Sequence, residues 1–155
     1  MADAIARKHD ESRALWFLGG LYEILVAADE TAGAMTVMRF TAPPGVGSPP
    51  HTHPGDEFLY LVDGELDVHI GDSVVAAGPG SAFYFPAGTR EFFTATSQAT
   101  ILATYIPGGI DRFFAEVGEP AAARTLPPQS GEAPDFERIV RVAAEHGMLI
   151  EAPPH

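Results

Sequence analysis

The chain contains no cysteine. That absence removes disulfides, thiolate zinc sites, iron–sulfur clusters, thiol nucleophiles and thiol redox sensing together. Any metal ion must therefore be held by His, Asp or Glu. Basic residues are scarce as well. Lys and Arg total 9 against 21 Asp and Glu, a formal net charge of −12. Repulsion from phosphate argues against nucleic acid or an anionic membrane surface as a partner. Between Arg39 and Arg90 there is no Lys or Arg at all, while Asp56, Glu57, Asp63, Glu65, Asp67 and Asp72 share that interval with His51, His53 and His69. Most of these carboxylates read as a solvated acidic face. Long apolar runs are missing too. The charge-free stretches Ser73–Thr89 and Phe92–Ile110 are broken by Gly, Pro and polar residues and do not span a membrane. Asp3, Asp10 and Glu11 precede any apolar run, which is wrong for a secretory signal. The expectation is a soluble, cytoplasmic protein.

What is present points to a β-rich fold. The 155 residues suit one domain, and 46% hydrophobic with 19% charged residues is a globular balance. Sixteen Gly and 14 Pro punctuate short β-branched and aromatic runs, the pattern of an all-β barrel or sandwich. Strands are expected at 15–18, 21–27, 35–41, 58–62, 66–70, 74–76, 82–85, 91–95 and 100–106. The Pro-rich segment 42–50 reads as a stiff loop, because proline removes ladder donors. Asp63-Gly64 and Gly71-Asp72 are turn signals. The barrel core is expected over about 15–110 and a helical tail over about 111–155. Within the tail, helices are expected at 111–117 and 134–146, with 118–133 as a linker over the barrel. Phe136, Ile139, Val140 and Ala143 fall at helical spacing, and Gly147 follows as the stop.

His51 and His53 are two apart. On an extended strand such residues project to one face, so both imidazoles can reach one ion. Glu57 follows after Pro54-Gly55 and can fold back as an oxygen ligand. Two His and one carboxylate on one side of an ion leave positions open, as in non-haem Fe(II) oxygenases. Taken alone, His-x-His fits two surface histidines beside a Pro-rich loop equally well. The wider spacing is more specific. Gly45, His51, His53, Glu57 and Gly64 form G-x5-H-x-H-x3-E-x6-G, which resembles the first motif of the cupin superfamily. Gly80-x5-Pro86-x-Gly88 resembles the start of the second cupin motif. The ending 107–118 and the helix closing on His146-Gly147 resemble the tail of single-domain quercetin 2,3-dioxygenase-like cupins.

The resemblance implies an all-β cupin jelly-roll barrel with short C-terminal helices and a metal inside one end. Phe40, Phe58, Tyr60, Phe83, Tyr84, Phe85, Phe92, Phe93 and Tyr105 are candidates to line it, with about half expected to face away. One departure stands out. The second motif's usual His position is Glu91, and its later Asn is Ala95. Glu91 then ligates, or stays near the triad as a base, or metal binding is lost. The expected site is His51, His53, Glu57 and Glu91 around one divalent transition metal per chain: Fe, Mn, Co, Ni or Zn. Glu57 and Glu91 are the candidate proton acceptors. The resemblance implies a quercetinase-like dioxygenase acting on a small aromatic or polyketide-like substrate. A non-oxidative metal-assisted isomerase, cyclase or lyase and a non-catalytic binding cupin stand as alternatives. It also implies a homodimer, with 15–27 as the strands expected to pair across it. His69 reads as an exposed strand residue, and Arg90 as a salt-bridged rim residue. His9, His146 and His155 receive no site role. Ser73, Ser81 and Ser97 lack a nucleophile elbow, and no phosphate-binding glycine loop is present.

Overall fold

A computed structural model describes residues 2–153, so His155 lies outside the described residues. Among the described residues twelve strands form two antiparallel sheets. The larger contains β1 (Arg13–Phe17), β2 (Gly20–Val26), β3 (Thr36–Ala42), β5 (Asp56–Asp63), β8 (Ala82–Phe85), β10 (Ala99–Ile106) and β11 (Glu119–Pro120), in the order β11-β1-β2-β3-β10-β5-β8. The smaller contains β4 (His51–Thr52), β6 (Leu66–Ile70), β7 (Ser73–Ala77), β9 (Glu91–Ala95) and β12 (Leu149–Ile150), in the order β12-β4-β9-β6-β7. Two helices, α1 (Ile110–Val117) and α2 (Phe136–Glu145), follow the barrel strands.

Period-two alternation drives the layering. Met38, Phe40 and Ala42 of β3, Leu59 and Leu61 of β5, and Ile101 and Ala103 of β10 are buried, while Phe58, Tyr60 and Val62 between them are exposed. The smaller sheet supplies Leu66, Val68, Phe93 and Ala95 to the same core. Hairpin turns fall at the glycine signals. Gly64 sits at φ +83, and a Cβ there would lie 2.2 Å from the Gln98 carbonyl oxygen. Only glycine fits that turn.

Expected elements reappear with shifted ends. Strand β5 starts at Asp56, two residues before the expected start, and the stiff loop ends in the two-residue strand β4. A 3-10 helix at Ala28–Thr31 and strands β11 and β12 lack a periodic signal, because two to four residues are too short to show one. Segment 118–133 therefore opens as a strand, with Leu15 opposite Pro120 and Trp16 opposite Glu119. That pairing occupies part of the outer edge of β1. Asp135 caps α2 by accepting from the Arg138 backbone N–H at 3.0 Å, and the helix ends at Glu145, one residue before the expected His146. No helix among the described residues is long and apolar enough to cross a membrane.

Candidate metal centre

The four residues singled out from the sequence meet where the two sheets close on each other. His51 and Glu91 are directly opposed partners on β4 and β9. Opposed residues point to the same face, so both side chains enter the barrel. On β9, Glu91, Phe93 and Ala95 are buried while Phe92 and Thr94 are half-buried, the alternation that carries Glu91 inward. Glu57 arrives from β5 in the other sheet, opposite Tyr105 of β10 and Phe85 of β8. Gly55 permits this approach: a Cβ there would lie 2.5 Å from the Ile106 carbonyl oxygen. The turn between His53 and Glu57 therefore packs tightly against the end of β10.

The donor atoms converge. His51 Nε2 lies 2.9 Å from His53 Nε2 and 3.2 Å from Glu91 Oε1. His53 Nε2 lies 2.6 Å from Glu57 Oε2 and 3.5 Å from Glu91 Oε1. One ligand atom from each of the four residues fits within a 4.8 Å span. Bonds of about 2.0–2.2 Å at right angles place neighbouring donors about 3 Å apart, so this spacing suits one ion. Two further observations fit a cation. The His51 Nδ1 lies 2.7 Å from the Pro49 carbonyl oxygen, which fixes the tautomer and leaves Nε2 as a lone-pair donor. Glu57 Oε2 and Glu91 Oε1 are buried without a hydrogen-bond partner, although His53 lies close to both. A buried carboxylate oxygen left in that state calls for positive charge. Two His and two carboxylates could hold a divalent metal, and the charges of the two Glu offset the 2+ of the ion.

Burial sets the proton chemistry. It pushes the Glu57 carboxyl up to about 7, against the pull of His53 and with help from the Glu91 charge. Burial also acts to raise Glu91, but the neighbouring His51 and His53 outweigh it and hold that carboxyl down at about 2. For His53 burial favours the neutral ring, yet Glu57 and Glu91 overcome it and raise the imidazole to about 9. Tyr105 rises well above the usual phenol range through burial and the two carboxylate charges, so it stays protonated.

A cavity of about 50 Å³ adjoins the four residues. Of the aromatic candidates, Phe40, Phe93 and Tyr105 line it. Phe58, Tyr60 and Tyr84 are exposed instead, because they occupy outward strand positions. Residues from outside the motifs complete it. Tyr22 of β2, Phe113 and Phe114 of α1, and Met148 and Ile150 from the C-terminal tail all reach the cavity. The amphipathic period of α1 marks Phe113 and Phe114 as buried without indicating against what. Ile150 is carried there by pairing with His51. His69 is half-buried and stacks on Phe92 with ring centroids 4.0 Å apart, away from the cluster. Arg90 pairs with Glu151 at 2.7 Å on the exposed rim, not with Glu91. His146 contacts Glu116 at 3.1 Å, and His9 contacts Arg39.

Residues 38–106 match the family model of the cupin domain. No curated protein matches the chain. Solved structures do. An RmlC-like cupin from Shewanella frigidimarina superimposes with a TM-score of 0.63 at 14% identity, over 71% of this chain and 96% of that one. Oxalate decarboxylase from Bacillus subtilis gives 0.59 at 20% identity, over 69% of this chain and 31% of that one. An acetylacetone dioxygenase from Acinetobacter johnsonii gives 0.58 at 17% identity, over 68% and 75%. At these identities the likeness is one of fold. With the motif match over residues 38–106, it supports the cupin superfamily for this chain, whose architecture is the cupin fold.

Proposed function

We propose that the protein is a metal-dependent cupin oxygenase acting on a small enolisable or phenolic substrate. The observation that carries this reading is the convergence of His51, His53, Glu57 and Glu91 on one point beside an aromatic cavity. The acetylacetone dioxygenase fold neighbour adds support. A divalent ion at that point supplies Lewis acidity and an anchor for a substrate oxygen. The chain's residues do the rest. Phe40, Phe93 and Phe114 exclude water and hold an apolar skeleton. Whichever of Glu57 and Glu91 is not held as a ligand accepts the substrate's acidic proton. The proposed assembly is a homodimer paired through strands 15–27, where β11 leaves part of the β1 edge free, and exposed Phe58, Tyr60, Val62 and Tyr84 offer a second apolar surface. A light-scattering mass of one chain at micromolar concentration would end that part.

The decisive experiment is elemental analysis of protein purified without chelator, followed by O2 uptake with acetylacetone as first probe. One transition metal per chain and substrate-dependent O2 consumption are expected. Turnover without O2 uptake reassigns the protein to non-oxidative isomerase, cyclase or lyase chemistry. Absence of metal reduces it to a small-molecule-binding cupin.

A further inference from the structure

Two tyrosines are buried beside the candidate metal centre without an evident reason in the fold. Tyr22 and Tyr105 are each 6% exposed, and both line the same cavity. Among the described residues neither phenol oxygen finds a hydrogen-bond partner. Tyr22 is packed against aromatic rings, stacked on Phe114 at 5.0 Å between centroids and 4.6 Å from Phe40. Tyr105 lies nearer the cluster. It is the direct cross-strand partner of Glu57, so the two side chains enter the barrel from the same face of the sheet. Its ring centroid lies 5.2 Å from that of His53. Neither hydroxyl is sealed off inside the packing, so each is free to donate to a molecule held in the cavity, a use that phenylalanine could not serve. Two such hydroxyls in one cavity call for an oxygen acceptor from outside the protein.

The cavity carries a second restriction. Its lining contains no Lys and no Arg. Among the described residues the only full charges facing it besides the histidines are the Glu57 and Glu91 carboxylates, which would balance a divalent ion. A substrate carboxylate or phosphate would enter a dry site that lacks a cation to receive it. The free volume of about 50 Å³ also favours a small ligand.

We infer that Tyr105 is a specificity-determining residue that donates a hydrogen bond to a second oxygen of the substrate, and that the site selects small, uncharged, doubly oxygenated molecules over carboxylates of the same shape. The inference rests on the metal-binding reading of the same centre and adds to it the substrate's charge and the group that orients it.

Acetylacetone and malonate test it as a pair, because they share a 1,3-dioxygen skeleton and differ in carrying methyl groups or charged oxygens at the ends. Zinc-loaded full chain supplies a redox-silent protein in which calorimetry reads binding without turnover. Malonate should bind at least about tenfold more weakly than acetylacetone. Tyr105→Phe should weaken acetylacetone about tenfold, the scale of one hydrogen bond, with zinc content and circular dichroism unchanged. Tyr84→Phe, an exposed tyrosine outside the cavity, should leave the affinity unaltered. Equal binding of the two probes overturns the inference. So does an unchanged affinity in zinc-replete Tyr105→Phe, or a zinc-replete wild type that ignores acetylacetone. A wild type that takes up no zinc instead overturns the metal reading itself, and the inference falls with it.

Discussion

Glu23 and Glu57 are buried to nearly the same depth, 2% and 4% exposed, yet they sit in opposite electrostatic situations. The Glu23 carboxylate receives Arg39 Nε at 2.8 Å and Arg124 Nη1 at 3.3 Å. Burial alone would raise its pKa, but the two guanidinium groups outweigh that and lower it. Glu57 and Glu91 have no guanidinium near them, only imidazoles. A guanidinium is charged at every relevant pH, whereas an imidazole is charged conditionally. The first knot is therefore closed by the chain's own cations and ties β2 to β3 and to the loop carrying Arg124. The second is balanced only by imidazoles, whose charge is a proton that a metal ion can displace. The contrast teaches how to tell a structural buried carboxylate from one that serves a site: by whether a permanent counter-charge stands within contact distance.

Removing the ligands gives the largest expected effect. Replacing both His51 and His53 with Ala should abolish metal content, as measured by elemental analysis, while circular dichroism reports an intact barrel. Full metal retention in the double variant would refute the centre.

The structural knot responds next. Arg39→Ala leaves Glu23 buried with Arg124 as its one remaining partner. Urea unfolding should show a loss of about 2 kcal/mol, below the range for a fully buried pair because the Arg39 side chain is 24% exposed. A loss under about 0.5 kcal/mol would place the two carboxylate sites in one class and break the comparison.

The open cluster should respond with the opposite sign. In metal-free protein at pH 8, Glu57→Gln removes a buried charge whose carboxyl is pushed up to about 7. Stability should rise by about 1–2 kcal/mol on the same urea measurement, and metal affinity should fall. A destabilised metal-free variant would mean that Glu57 serves the fold.

The smallest and most diagnostic effect lies in the pH dependence. A carboxyl raised from 4.5 to about 7 keeps its proton in the folded state after the unfolded chain has released it. Stability from Glu57 is thus present below pH 4.5 and is lost as pH rises to 7. His53, raised from 6.5 to about 9, continues the decline: its contribution is present below 6.5 and lost through 9. Glu23 is lowered, so its contribution is present above its unfolded pKa and lost on acidification. Metal-free wild type should therefore lose stability from about pH 5 to 9, and saturating Zn(II) should flatten that slope, because deprotonated ligands bind the ion better. A metal-free profile that is flat over this range would remove the electrostatic distinction.

Much of this was legible in the chain itself. The spacing of His51, His53 and Glu57 marked them as candidates for one site, since i and i+2 share an extended face and a Pro-Gly turn can return the carboxylate, while their convergence needed the second sheet. The β9 period carried Glu91 inward with Phe93, and the glycine and proline signals marked the hairpins. Glu23 gave no such sign. Its partners lie 16 and 101 positions away, and no local period encodes a pairing over that distance.

Local sequence thus determined which residues point into the barrel, because side-chain direction in a strand follows from backbone geometry alone. Tertiary structure decided what they meet there. Register set Tyr105 against Glu57 and His51 against Glu91, and the pairing of β12 with β4 drew Ile150 to the cavity from a strand too short to be recognised. Those contacts join segments up to about a hundred residues apart. They form only because the two sheets close on one shared core, and it is that closure which leaves two carboxylates buried with imidazoles alone to balance them.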